Sequence, residues 1–404
     1  MRCAATPLRH AISRSATLPA AGFVATMISF GPARMGFGLF VPEFRAEFSM
    51  SAATVGVVSS VGFAGFLVGL VVAQSLLQRR GTAAPVLLGL LAATLGMGLV
   101  GAAATIAALA AGVFLAASSA GLTWSPFNAV VHRALPDANR PAALSRISTG
   151  TSAGIALAAI AAFAVAQSGW SWRASWALFA AAGFGALIFN RAALCRIDTA
   201  PVATSMTTRM HGKVGPRARA LFAVAFVMGT TSATYIAFAA DRMTQAGGIV
   251  GLPPDATPAL VFLVYGLFGL AGLCTGWLRR LTGLALLVRG ALIAGALSAG
   301  FVALLPGSWT GLILSAGLQG VHVMVTSAVI ALWSERLYPA RPSLGFTVAL
   351  LSLAAGNVLG PVAGGFAANL FGAGPMFLGS AGFACLTALL LPRHHLVDRP
   401  APGP

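Results

Sequence analysis

The chain has 404 residues, of which 58% are hydrophobic and only 8% charged, with a formal net charge of +17. A soluble surface needs far more charge than this to stay dispersed, so the composition excludes an ordinary water-soluble globule. Nucleic acid is excluded as well: the arginines stand as anchors between apolar stretches, with no domain large enough to hold a duplex. The anionic face of a lipid bilayer is the partner that such arginines fit.

In chain order, the apolar stretches predict twelve membrane-spanning helices near residues 18–41, 52–77, 83–102, 105–131, 147–167, 174–194, 219–240, 257–278, 284–305, 310–334, 344–370 and 375–392. About 20 apolar residues cross the hydrocarbon as a helix, because every backbone polar group must then be satisfied within the segment. Arg2, Arg9 and Arg14 precede the first stretch in the manner of a secretory leader. The apolar run continues to Val41, longer than a leader core, so it is read as a span. The four cysteines, Cys3, Cys195, Cys274 and Cys385, are scattered without metal-ligand or pairing spacing and read as free thiols.

With the loops numbered alternately, one face carries only Arg45, Arg173 and Arg242, while Arg34 and Arg289 fall inside spans. The other twenty of the 25 basic residues lie on the opposite face. By the positive-inside rule that face is cytoplasmic, which places both termini inside and predicts a bacterial inner-membrane protein. Five tryptophans, Trp170, Trp172, Trp277, Trp309 and Trp333, fall near span ends and are expected to form the aromatic belt. Arg289 is expected to snorkel from the ninth span to the interface.

The longest polar interruption divides the chain into a six-helix bundle at 1–194, a cytoplasmic linker at 195–218, a second six-helix bundle at 219–393 and a tail at 394–404. The halves echo one another. Arg79-Arg80 recurs as Arg279-Arg280, Arg140-Pro141 as Arg341-Pro342, and Gly150-x-x-x-Gly154 as Gly356-x-x-x-Gly360. Three pairs at nearly equal offsets predict a tandem six-helix repeat, an arrangement in which transporters place a site at the repeat interface.

On these features the chain resembles the major facilitator superfamily of secondary transporters over essentially its whole length. The resemblance implies an all-α fold of twelve transmembrane helices in two six-helix pseudo-repeats, with no cofactor, no metal and no enzymatic activity. The run Gln74-Ser-Leu-Leu-Gln78-Arg79-Arg80-Gly81-Thr82 is similar to the family signature between the second and third helices. It keeps Arg79 and Gly81 but has Gln78 for the aspartate and Gln74 for the glycine. The run Gly356-Asn-Val-Leu-Gly360-Pro361-Val-Ala-Gly364-Gly365 is similar to the motif of drug–proton exchangers, here in the eleventh helix rather than the fifth. Close helix packing with a proline bend is the alternative reading of that run.

The resemblance also implies that the first, fourth, seventh and tenth helices line a central cavity. Arg34 lies about two-thirds of the way along the first span, just after Gly31-Pro32. A charge there costs roughly 2.5–3.5 kcal/mol on insertion scales, so Arg34 is a candidate anchor for carboxylate or phosphate. A structural tie between helices is the alternative. Trp124 and Asn128 in the fourth span, Tyr235 in the seventh, and Gln319 and His322 in the tenth are the other candidate substrate contacts. His322 titrates near neutrality and is a candidate proton relay, as are Glu43 and Asp241 at equivalent span ends. Hydroxyls of the seventh span can equally bond back to their own helix.

All eight acidic residues lie in loops or at span ends. No carboxylate sits mid-membrane to attract a lipophilic cation. The expected function is therefore secondary transport of a small organic anion or polar metabolite by alternating access. The carrier is expected to be a monomer in the bilayer, an exporter by its helix 11 motif, with protons as a coupling ion. The alternatives are a multidrug or sugar efflux permease with a structural Arg34, and a non-transporting membrane sensor.

Overall fold

A computed structural model describes residues 7–195, 216–253, 255–338, 342–392 and 396. Arg2, Cys3, positions 196–215 of the expected linker, Arg341 of the second arginine–proline pair and the tail beyond 396 lie outside them.

Among the described residues every regular element is helical. The helices are α1 (Pro7–Phe30), α2 (Pro32–Leu39), α3 (Val41–Phe48), α4 (Ala52–Arg80), α5 (Ala83–Gly101), α6 (Ile106–Ala134), α7 (Arg140–Gln167), α8 (Trp172–Leu194), α9 (Pro216–Gln245), α10 (Ala256–Gly269), α11 (Thr275–Leu304), α12 (Trp309–Leu337), α13 (Pro342–Phe371) and α14 (Ala373–Leu390). By length and composition, 10 helical runs can cross a membrane, or 11 when the bent pair Thr17–Leu39 and Val41–Phe48 counts as one span. Many large side chains on the outside are apolar, Leu95, Phe184, Ile188 and Leu389 among them, as hydrocarbon requires.

Two expected spans are broken. The first is α1, α2 and α3 in series. Pro32 opens α2 at its first turn, where its missing N–H is harmless, and Gly31 before it leaves helical geometry at φ −71° and ψ −104°. The chain then bends by 48° at Phe40 into α3. The second case is the continuous run Ala256–Leu304, whose 49 residues would reach about 74 Å as one helix against about 30 Å of hydrocarbon. It loosens into a 3-10 turn at Leu270–Cys274 and leaves the helix at Gly283, with φ 74° and ψ 166°. Only glycine adopts that conformation readily, so the expected gap between residues 278 and 284 coincides with a real interruption.

Three helix starts are capped by side chains. Ser51, Thr105 and Ser308 accept from the N–H of Thr54, Ala108 and Gly311 at 3.1, 3.2 and 3.0 Å.

The helices before the 196–215 stretch pack chiefly among themselves, α4 and α5 on α6, α5 on α8, and α1 on α7. Those after it pair correspondingly, α10 and α11 on α12, α11 on α14, and α9 on α13. The two groups meet along two seams, α4 against α13 and α7 against α10, with α2 and α3 touching α9. Glycine sets the closest approaches. A Cβ on Gly154 would lie 2.1 Å from the Met27 carbonyl oxygen of α1, and one on Gly360 would lie 2.3 Å from that of Thr230 on α9. At the α4–α13 seam a Cβ on Gly56 would stand 2.2 Å from the Pro361 oxygen, and Ser60 Oγ donates to the Val358 oxygen at 2.6 Å. The glycine-proline run of α13 is thus a two-sided packing surface, Gly356 and Gly360 facing α9, Pro361 and Gly365 facing α4.

Two smaller expectations need correction. Trp333 is 1% exposed and belongs to the core, unlike the exposed Trp170, Trp277 and Trp309. Arg289 does not simply snorkel: its Nη2 donates to the Leu391 carbonyl at 2.6 Å and so closes the end of α14.

The packing gives a direct test. Gly360→Val forces a side chain into the α9 backbone and should cost about 1–3 kcal/mol or more, seen as a lower midpoint in thermal denaturation of the purified protein. Gly374→Ala, where a Cβ meets nothing within 4 Å, should leave that midpoint nearly unchanged.

Candidate functional site at Arg34

Arg34 lies on the first turn of α2, placed there by the Gly31–Pro32 break. Its guanidinium carbon stands 4.3 Å from the centroid of the Phe66 ring, 5.4 Å from Phe30 and 5.5 Å from Phe63. Ring faces attract a cation, by roughly 0.5–2 kcal/mol each according to desolvation. The Asn357 side-chain amide, oriented to satisfy both its neighbours, accepts from Arg34 Nη2 at 3.1 Å and donates to the Gly229 carbonyl at 3.0 Å. One amide thereby links α2, α13 and α9.

The charge is otherwise unanswered. Among the described residues no carboxylate pairs with Arg34. Its Nε is buried without a partner, as are the Tyr265 hydroxyl on α10 and Gln319 Nε2 on α12. Tyr265 lies on α10, which touches α2. Tyr235 stacks beside Tyr265 at 6.4 Å, and its hydroxyl shares a 2.8 Å hydrogen bond with Ser315, one helical turn before Gln319. Each buried donor left unmade costs about 1–3 kcal/mol. Donors gathered around one cation are the arrangement that an acceptor-rich molecule satisfies.

The site is nearly closed. The cavity beside Arg34, walled by Phe37, Ser59, Phe63 and Ile236, measures about 10 Å³, room for about one water. Toward the α3 end, a Cβ on Gly38 would lie 2.0 Å from the Ile236 carbonyl oxygen, so α2 and α9 touch. Beyond that contact, Arg45 Nη1 meets Asp241 Oδ2 at 2.6 Å, and Gln245 donates to the same oxygen at 2.9 Å. Residues from both helix groups shut this end of the bundle.

The structure brings some expected residues together and separates others. Tyr235 lies with Tyr265 and Ser315, and Gln319 follows one turn after Ser315 on α12. Trp124 packs edge-on to Phe30 at 5.6 Å and so borders the Arg34 site, while Asn128 donates weakly to the Trp124 carbonyl of its own helix at 3.4 Å. His322 turns toward α11, where its Nδ1 lies 2.7 Å from the Ala291 carbonyl, and its Nε2 is buried without a partner. Asp241 is not free at a span end: it is buried and held by Arg45 and Gln245. Glu43 keeps Oε2 unpartnered at the α3 end. Thr230, Thr231, Ser232 and Thr234 bond back to carbonyls of α9, the local alternative to ligand contact.

Arg79 and Arg80 end α4 exposed, and Gly81 caps it with φ 75°. Gln74 donates to Ser125 Oγ of α6 at 2.7 Å, a helix tie that glycine, the family's residue there, has no side chain to make. Gly364 faces Thr234 of α9.

Two site residues were missed in the sequence. Asn357 sat inside a run read for its glycines, although an asparagine flanked by packing glycines is a polar group forced against a neighbouring backbone. Tyr265 was passed over in an apolar stretch; that the chain has only 3 tyrosines was the available signal.

A polytopic helical bundle with a charged, aromatic-walled site between two helix groups defines a membrane transporter. The Major Facilitator Superfamily profile matches residues 22–310, and the chain belongs to that family. No curated protein sequence matches it. Among solved structures, it is similar to a mutant of the nucleoside transporter NupG, at 11% identity with a TM-score of 0.73, covering 93% of this chain and 98% of that one. A bacterial homolog of the human lysosomal transporter Spinster, inward-facing and unoccupied, matches at 18% identity and TM-score 0.72 over 97% of this chain and 99% of that one. A peptide transporter of the POT family in complex with sulfate matches at 15% identity and TM-score 0.72 over 93% of each chain. Identities this low speak for the fold alone. The chain is an integral membrane protein with a transporter fold.

The Arg45–Asp241 contact yields a prediction. Asp241→Asn should open the α3 end more often, raising the labelling rate of an Ile236→Cys reporter by a membrane-impermeant maleimide several-fold. Charge exchange, Arg45→Asp with Asp241→Arg, should return the rate toward the parent value.

Proposed function

We propose that the protein is a secondary active transporter that carries a small organic anion or polar metabolite by alternating access, with Arg34 as the anchor. The observation that carries this reading is a guanidinium walled by three phenylalanines, with, among the described residues, no carboxylate paired to it and its Nε unpartnered. An anion would supply the missing charge, and the Tyr265 hydroxyl on α10, a helix that touches α2, is an unpartnered donor.

The framework of this proposal is twelve spans in two six-helix repeats, 1–194 and 219–393, joined by a cytoplasmic linker. The Gly283 interruption supports counting Ala256–Leu304 as two spans, and the bent first span supplies another. Correspondence of the contacts supports the repeat: α1 on α7 answers α9 on α13, and the seam α4–α13 answers α10–α7. Gly150 and Gly154 press on α1 as Gly356 and Gly360 press on α9. The arginine asymmetry supports cytoplasmic termini in a bacterial inner membrane. In this orientation the closed α3 end is external. The carrier works as a monomer and is proton-coupled, with export as its direction. Its cargo is a small molecule; nucleic acid is no partner.

For coupling, His322 offers one feature. With Nδ1–H donated to the Ala291 carbonyl, Nε2 is left as a buried acceptor able to take a proton. A second reading, a sugar or multidrug efflux permease with structural Arg34, is favoured by the Asn357 amide that already engages the guanidinium.

A thermal-shift screen of small organic anions, sugars and lipophilic cations separates the readings, since binding stabilises the folded state by mass action. An anion should raise the midpoint of the parent protein and fail to do so in Arg34→Gln. Asn357→Asp, which hands the guanidinium an internal carboxylate, should keep the fold and abolish the anion shift. Anion shifts that survive in Arg34→Gln would sink the anchor role. For proton coupling, His322→Gln should abolish flux driven by a pH gradient while sparing counterflow, measured in proteoliposomes.

A further inference from the structure

A second cavity lies at the α3 end of the bundle, away from Arg34. It measures about 310 Å³ and is bounded by α2, α3, α7, α8 and α10, so it straddles the α7–α10 seam between the two helix groups. That volume is at the lower bound of small-molecule sites, roughly 300–1,000 Å³. Glu43 and Asp255 enter it from opposite groups and feel one another electrostatically.

Among the described residues neither carboxylate makes an ion pair. Arg45 is spent on Asp241, and Arg173 on Glu47 and the carbonyls of Gly101 and Ala103. Arg242, the remaining arginine at this end, forms no ion pair among the described residues. Asp255 precedes α10 yet makes no side-chain cap, so its oxygens are not consumed by the helix start. A further observation points inward to a ligand: Ser175, 0% exposed, lines the same cavity with its Oγ unpartnered, alongside Glu43 Oε2. Phe40, Phe163 and Trp170 supply apolar and aromatic walls.

Two carboxylates, a buried hydroxyl and aromatic faces are the chemistry that recognises an ammonium group carrying a short apolar body. We infer that this cavity binds a small organic cation between Glu43 and Asp255, independently of the Arg34 site. Because the two carboxylates come from opposite sides of the seam, the occupant fastens the helix groups together at this end. The cation is either free in solution or the ethanolamine headgroup of a lipid; both present the same ammonium.

The test uses the purified full chain in detergent and benzyltrimethylammonium as the probe, with tetraethylene glycol and matched sodium chloride as controls. The probe should raise the unfolding midpoint above the salt control in the parent and in Arg34→Gln alike. The double variant Glu43→Gln/Asp255→Asn should bind about tenfold or more weakly. Should that variant fail to fold, Trp170→Leu serves instead. Its indole is 68% exposed and little needed for stability, and its loss should weaken the probe about threefold. No shift beyond the salt control in the parent, or a shift undiminished in these variants, overturns the site; so does a shift lost in Arg34→Gln, which would place the probe at the central site. Repeating the titration in phosphatidylethanolamine and phosphatidylglycerol nanodiscs assigns the source. Competition by the former favours the lipid headgroup, and equal affinity favours a soluble cation.

Discussion

Backbone-to-backbone contact through glycine is the constraint on which this fold depends. Lipid tails are as apolar as leucine, so hydrophobic burial gives little reason for one helix to prefer another over lipid. What remains is close packing, and close packing needs missing side chains. Gly154 against Met27, Gly360 against Thr230 and Gly56 against Pro361 place carbonyl oxygens where a Cβ would otherwise stand. The same contacts decide which helices are neighbours, hence which polar side chains can meet at the centre. Asn357 reaches Arg34 because Gly356 and Gly360 hold α13 against α9.

The centre is built against that economy of polar groups. A guanidinium away from water is held by ring faces and one amide, with neighbouring donors unsatisfied. Such a cluster lowers the stability of the resting protein, and its members come from α2, α10, α12 and α13. The α4–α13 seam differs from the centre, being backbone-close through Gly56 and Pro361, while the α3 end is held by Arg45 and Asp241.

The sequence showed the spans well because hydrocarbon imposes a length and a composition that few other settings demand. It also located Arg34, since an arginine far inside an apolar run is conspicuous. The repeated Gly-x-x-x-Gly pairs were legible for a similar reason, one pressing on α1 and the other on α9. Partners were harder to read. His322 and Ser315 both lie on α12, and their spacing says nothing about which helix each faces; one turned to Ala291 and the other to Tyr235. Asn357 and Tyr265 gained their meaning only from helices distant in sequence. The pairing of Asp241 with Arg45 was not legible because the two lie 196 residues apart.

The unneutralised charge of Arg34 bears on a quantity other than affinity, the membrane voltage. A fixed unit charge whose access passes from one face to the other moves within the transmembrane field, and each elementary charge crossing 100 mV is worth about 2.3 kcal/mol. With an anion seated beside it the pair is neutral and indifferent to that field. The unloaded carrier, not the loaded one, would then feel the voltage, and the polarity of the membrane would set how quickly an emptied site returns.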